Sequence, residues 1–351
     1  VATESLSPEF IPSSPTFPPK APTGWLQAVK KYQSSEMRVS CWQMLNSIAP
    51  YFIFMYLGYR ALEVSYLLTL VFAVVAALFA VRIFIIFHDC GHGSFFKSQK
   101  ANKWVGRITG VLTFTPYYAW RHAHAIHHAG SGDLDRRGVG DVWTLTYDEY
   151  KVMPLWKRMI YRLYRNPLFI FVIGPSLQFV VLQRLPLTSG DKEKWREIRS
   201  IMWTNVALLI MIVVISWAIG FQNYLLVQLP AIAVASSIGV FLFYVQHQYE
   251  NVYWERHEEW DYATAALHGS SFYKLPKPLQ WFTGNIGFHH IHHLSPRIPN
   301  YKLEDCHNAN EIFQIEPLTL RTSIKSLHVR LFDEDRHKMI GFHKPEEAPA
   351  E

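Results

Sequence analysis

Residues 66–92 read YLLTLVFAVVAALFAVRIFIIFHDCGH. Tyr66 to Phe87 is an apolar run whose single charged residue is Arg82. A bilayer crossing needs about 20 mostly apolar residues, within roughly 17–25, so this run has spanning length. It passes directly into His88-Asp89-Cys90-Gly91-His92. If the helix continues, His88 and His92 stand at i and i+4 on one face. Two imidazoles so placed can hold one metal ion.

Three further runs have similar character. Trp42 to Gly58 is the weakest, with Asn46 and Pro50 inside it, whereas Ile201 to Ile219 and Tyr224 to Phe243 are strong. Four runs in two pairs with short connectors predict an all-α integral membrane protein of about four transmembrane helices in two hairpins. Val105 to Tyr118 and Pro167 to Leu182 are shorter. They are expected as interfacial or re-entrant segments, because a crossing by either would separate the histidine clusters described below. Composition agrees: 50% of the 351 residues are hydrophobic and 18% charged, against roughly 25% charged in soluble domains. Mean hydropathy is only +0.02, so apolar blocks alternate with polar ones.

The net charge of +6 suits either a nucleic-acid binder or a membrane protein facing anionic lipid. Its distribution decides. All Lys and Arg except Arg60 and Arg82 lie before the first run, between the second and third, or after the fourth. The positive-inside rule then places both termini and the large middle region in the cytoplasm of a multi-pass cell-membrane protein. Lipid headgroups account for the charge, and no nucleic-acid partner is expected. Arg82 is expected to snorkel toward the near interface. Residues 1–40, with Pro8, Pro12, Pro15, Pro18, Pro19 and Pro22 among Ser and Thr, read as a Pro-rich cytoplasmic tail rather than a signal peptide. Residues 41–334 read as the membrane-embedded domain and 335–351 as a C-terminal tail. Cys41, Cys90 and Cys306 are too few and too scattered for a disulfide framework or a CxxC zinc site.

The 17 histidines are clustered. The second box is His124-Ala125-Ile126-His127-His128 and the third His289-His290-Ile291-His292-His293, both reading H-x-x-H-H. His247 follows the fourth run by four residues. The first box and His247 end spans on the cytoplasmic side, and the other boxes lie in segments able to fold over them as a cap. Eight or nine imidazoles exceed one four-coordinate zinc and fit two ions. Imidazole suits zinc, copper, iron and nickel, so the donors alone do not choose the metal. His122, His268 and His290 are expected as packed histidines. His257, His307, His328, His337 and His343 are expected at the surface. Asp89, Asp133, Asp135, Asp141 and Asn285 are candidate partners for imidazole N–H groups, or else helix caps and ion-pair partners of Arg136 and Arg137.

These stretches bring a family into view. HDCGHGSFFKSQKAN, HAIHHAGSGDLDRRGVGDVWTLTYDEYK, YRLYRNPLFIFVIGP, GVFLFYVQHQYE, GSSFYKLPKPLQWFTGNIGFHHIHHLSP and PNYKLEDCHNAN resemble the membrane-bound fatty acid desaturases, especially the acyl-lipid desaturases of Gram-positive bacteria. The resemblance runs from about Arg38 to Glu334. It implies a non-heme site of two iron ions held by His88, His92, His124, His127, His128, His289, His292 and His293, with His247 as the match to a ninth ligand. It also implies O2 as co-substrate, acyl chains of membrane phospholipids as substrate, a cis double bond as product, and a delta-5 specificity. The unactivated C–H bond of such a substrate yields to no acid, base or serine nucleophile, which places the reactivity in the cofactor. The segment after Ile315 carries no heme- or flavin-binding pattern, so electrons are expected from a separate donor of ferredoxin or flavodoxin type. Spans two and four should frame an apolar channel to the metals, with Ser270 to Thr283 as an interfacial cover. Two other readings stay open: a fatty acyl or alkane hydroxylase on the same histidine plan, and a zinc-binding membrane sensor without redox chemistry.

Overall fold

The computed structural model describes residues 18, 20–189 and 193–344. After α1 (Trp25–Lys30), α2 (Met37–Ala61) and α3 (Tyr66–His92) form a hairpin, followed by α4 (Gln99–Leu112) and α5 (Tyr117–Gly130). Next come α6 (Tyr147–Val152), α7 (Leu155–Tyr164) and a helical stretch over residues 169–184, whose π-helical turns flank α8 (Gly174–Ser176). A second hairpin joins α9 (Lys194–Ile219) to α10 (Phe221–His247). The short α11 (Tyr262–His268), α12 (Lys277–Phe282), α13 (His289–Leu294), α14 (Leu303–Asn308) and α15 (Leu320–Ser323) complete the helices. Among the described residues, five strands of two or three residues, β1 (Leu145–Thr146), β2 (Tyr273–Lys274), β3 (Leu318–Thr319), β4 (Leu331–Asp333) and β5 (Lys338–Ile340), staple the segments between them. β4 pairs with parallel β1 and antiparallel β5, and β2 pairs with parallel β3.

α3, α9 and α10 are long and apolar enough to cross a membrane. α2 has the length, 25 residues, but is less apolar, and it turns Ser40, Gln43 and Ser47 into the protein. The weakest expected span is thus a full-length helix with a polar buried stripe. α7 and residues 169–184 bend by 55° at their break and count as a further span only if taken together. α4 holds most of the apolar part of Val105–Tyr118, and its 14 residues are too few to cross.

α3 is the central strut and α9 the peripheral one. Of the most apolar window of each, 61% is buried in α3 and only 17% in α9, and Trp217 on α9 is 88% exposed. Such an apolar outer face suits lipid rather than water. α3 ends at Gly93, whose φ of 72° is the left-handed C-cap. Its N–H donates to the carbonyls of Asp89 and Cys90, closing the helix just past His92.

Arg82 does not reach an aqueous interface. Its side chain is buried, donates to the Trp281 carbonyl and lies 3.9 Å from the Trp281 ring centre. The cover segment over α12 supplies a carbonyl and a π-face to the guanidinium from within the protein.

Parts of both expected tails are ordered. Val29 on α1 is fully buried among Leu267, Ile291 and Phe313, and Gln33 Nε2 donates to Ser295 Oγ at 3.0 Å. The N-terminal segment thus packs on the helix carrying the third box. At the other end, residues 338–340 form β5. Residues 1–17, 19 and 345–351 of those tails lie outside the described residues.

Candidate metal centre

Four helices bring the boxes together. His88 and His92 close α3, His124, His127 and His128 lie on α5, His247 closes α10, and His289, His292 and His293 lie on α13. Two groups form. Donor nitrogens of His88, His92, His124, His128 and His292 lie within 4.8 Å of one another, and so do those of His127, His247 and His293. His289 joins the second group, with its Nε2 3.0 Å from that of His247. The boxes are therefore shared between the groups, box two giving His124 and His128 to one and His127 to the other.

Packing sets the rings. Trp120, one turn before His124, stacks on it with centroids 4.3 Å apart at 22°. Trp120 also presses on Gly91 of α3, where a Cβ would sit 2.8 Å from the indole; a glycine is needed for the two helices to meet this closely. His128 stacks on His293 at 4.1 Å and 16°, joining boxes two and three.

Three rings are turned by hydrogen bonds on Nδ1: His88 to Asp89 Oδ1 at 3.2 Å, His247 to Gly269 O at 3.3 Å, and His127 to Asp141 Oδ1. Each leaves Nε2 facing the group. The Nε2 atoms of His128 and His292 lie 3.0 Å apart, and those of His124 and His128 lie 3.1 Å apart. Ligand nitrogens sharing an ion at about 2.1 Å sit at roughly such separations. The Nε2 atoms of His92, His127 and His293 are buried with no partner among the described residues. Burying lone pairs unsatisfied is costly, and an ion bound between them removes the cost. The Nδ1 atoms of His128, His289 and His292 also lack partners among the described residues, and ring packing orients them.

Electrostatics favour the donor form. Burial, reinforced by repulsion from neighbouring imidazoles, pushes His124, His128, His289, His292 and His293 well below the ordinary imidazole value. They are neutral near pH 7, as metal binding requires.

Of the expected carboxylate and amide partners, Asp89 and Asp141 touch box histidines. Asp133 instead pairs with His257 at 2.7 Å and Asp135 with Arg256 at 2.7 Å. Asn285 donates to the Asn300 carbonyl at 3.1 Å. His122 bonds to buried Glu197 on α9, and His290 bonds to the Phe313 carbonyl at 3.1 Å, so both are packed histidines as expected. His307 is not a surface residue: it is buried, with Nδ1 3.3 Å from His290 Nε2. Trp120, Glu197 and Asn300 were missed by sequence reasoning. Only Trp120 left a signal, its four-residue spacing to His124.

The family model for fatty acid desaturases matches residues 65–317, which include every histidine of both groups. A fatty acid desaturase of Bacillus subtilis (strain 168) is 49% identical over 315 residues, covering 90% of this chain and 89% of that protein. The chain belongs to the fatty acid desaturase family. More distant relatives include an sn-1 acyl-lipid omega-3 desaturase (ferredoxin) and an sn-1 oleoyl-lipid 12-desaturase, both of Synechocystis sp.. Each is 26% identical, covering 63% and 64% of this chain and 61% and 63% of theirs. This desaturase is thus an oxidoreductase of lipid metabolism with membrane-length helices. Its buried histidine groups are consistent with a metal centre.

Proposed function

We propose that this desaturase inserts a cis double bond, at the delta-5 position, into acyl chains of membrane phospholipids, using O2 and two electrons at a di-iron centre. The observation that carries the reading is the convergence of nine imidazoles, seven buried and two (His92 and His124) half-buried, into groups of five and four. His88, His92, His124, His128 and His292 would hold one ion, and His127, His247, His289 and His293 the other. Bound iron supplies the activation of O2 that none of these side chains can perform on an unactivated C–H bond.

The chain's own residues do the rest. α3 and α10 pack together, and Ala80, Ile83, Leu242 and Val245 belong to the buried apolar core they share. Residues 270–283 fold over this region: Ser271 N–H bonds to the Gln246 carbonyl, and Phe282 packs on Phe79 of α3. This cover limits the access of water to the reacting carbons. Overall, two C–H hydrogens, O2, two electrons and two protons yield the alkene and two waters.

The electrons come from a separate ferredoxin- or flavodoxin-type carrier; one Synechocystis relative carries ferredoxin in its name. The active site and both termini face the cytoplasm, as the charge distribution supports. The test is metal analysis of purified protein together with desaturation assayed with and without O2. Two irons per chain and strict O2 dependence are expected. One zinc, no iron and no O2 dependence would overturn the reading in favour of a non-redox site.

A further inference from the structure

We propose that Asn300 is a positioning residue for the five-histidine group, acting through Asp89 on His88. The inference rests on the metal-centre reading above. His88 and Asp89 are consecutive on α3, and consecutive helical side chains point away from each other. Their contact therefore needs the carboxylate to be held from outside the helix. Asn300 holds it twice: its backbone N–H donates to Asp89 Oδ2 at 2.7 Å and its Nδ2 donates to the same oxygen at 2.8 Å. Asp89 Oδ1 is left 3.2 Å from His88 Nδ1.

Asn300 is itself fixed. Gln43 on α2 donates from Nε2 to its Oδ1 at 3.0 Å, and Asn285 donates to its backbone carbonyl at 3.1 Å. Gln43, Asp89 and Asn300 are each at most 3% exposed. The result is a dry relay from the polar stripe of α2, through the segment after the third box, to a histidine of the first box. It gives that stripe a purpose that a lipid-facing span would lack. Docking of residues 295–301 thereby sets which nitrogen of His88 faces the ion. Fixing a ligand's orientation in this way is commonly worth about 10–100-fold in metal affinity.

Donation and mere packing predict opposite orders for two variants. Asn300→Asp keeps the shape but turns the side-chain donor into a carboxylate facing that of Asp89. Asn300→Ala removes the side chain yet keeps the backbone N–H bond. The experiment is titration of the purified, metal-free full chain with ferrous iron alone against a competing chelator, with iron per chain read by mass spectrometry. Asn300→Asp is expected to weaken one of the two ions by about 10–100-fold and leave the other unchanged, with Asn300→Ala falling between it and wild type. Wild-type binding in Asn300→Asp, or Asn300→Ala binding more weakly than Asn300→Asp, overturns the proposal. Should Asn300→Asp not fold, Asn300→Ala carries the test: it must weaken one ion only, and equal weakening of both, or of neither, overturns it. A wild-type chain that binds no iron would instead bring down the metal-centre reading itself, and this inference with it.

Discussion

His247→Gln is the most informative perturbation of the four-histidine group. His247 closes α10 and is 5% exposed, with Nδ1 3.3 Å from the Gly269 carbonyl and Nε2 3.0 Å from His289 Nε2. Glutamine is polar and of similar size, so a packing role tolerates it. Its amide nitrogen has no free lone pair for a metal and its amide oxygen is a poorer donor than imidazole, and the group falls from four imidazoles to three. Losing an orienting partner alone costs about 10–100-fold in metal affinity. Losing the donor should cost at least the upper end, about 100-fold or about 2.7 kcal/mol. His247 is absent from the five-histidine group, so that ion should stay. Purified His247→Gln is expected to hold about one iron per chain instead of two and to lose desaturation, at an unchanged yield of membrane-extracted protein. Metal analysis alongside product analysis measures both. Iron and desaturation both near wild type would refute the reasoning and leave an eight-histidine site.

Replacing any of His88, His92, His124, His127, His128, His289, His292 or His293 by Ala should abolish desaturation while the protein stays in the membrane; full activity in two such variants contradicts the assignment. His290→Ala should be milder, because its Nε2 faces the Phe313 carbonyl rather than the donors. Reporter fusions at Ser131 and Glu304 should both read cytoplasm, and one within residues 59–65 should read outside. An external signal at Glu304 would show that residues 155–184 cross the membrane. The folded-state values of His124, His128, His289, His292 and His293 are depressed by burial. Their contribution to the stability of the metal-free protein is therefore complete above the unfolded imidazole value, about 6.5, and is lost as pH falls below it. A thermal midpoint that does not drop between about pH 7 and about pH 5 counts against neutral, buried donors. Trp120→Ala removes the half-buried ring stacked on His124 and should cost less than the loss of a fully buried Trp, about 3–5 kcal/mol, read as a lower thermal midpoint with reduced iron content.

The spans and boxes were legible because each is a local pattern. An apolar run of bilayer length shows in composition, and i, i+3, i+4 spacing puts His124, His127 and His128 on one helix. The division of donors was not legible. Box two splits between the two groups because His127 points toward α10 while His124 and His128 point toward α3, which depends on how the helices pack. Arg82 was misread for a related reason. Position in a span suggests snorkelling, but its partner Trp281 lies 199 residues away in sequence. His307 is buried by Phe272 and His290, contacts that no periodicity around it announces. The Pro-rich start of the chain masked a short helix whose one fully buried residue, Val29, packs on the third-box helix. Asn300 was invisible because its partners, Gln43 and Asp89, come from two other helices.

The most direct test of the central claim is lipid mass spectrometry of a host without desaturases of its own, expressing this chain with a reducing partner. The account predicts phospholipid acyl chains lighter by two hydrogens, with a cis double bond at the delta-5 position, and none of this product when His124 is replaced by Ala. Acyl chains that instead gain one oxygen, or that appear equally with the His124 variant, would contradict it.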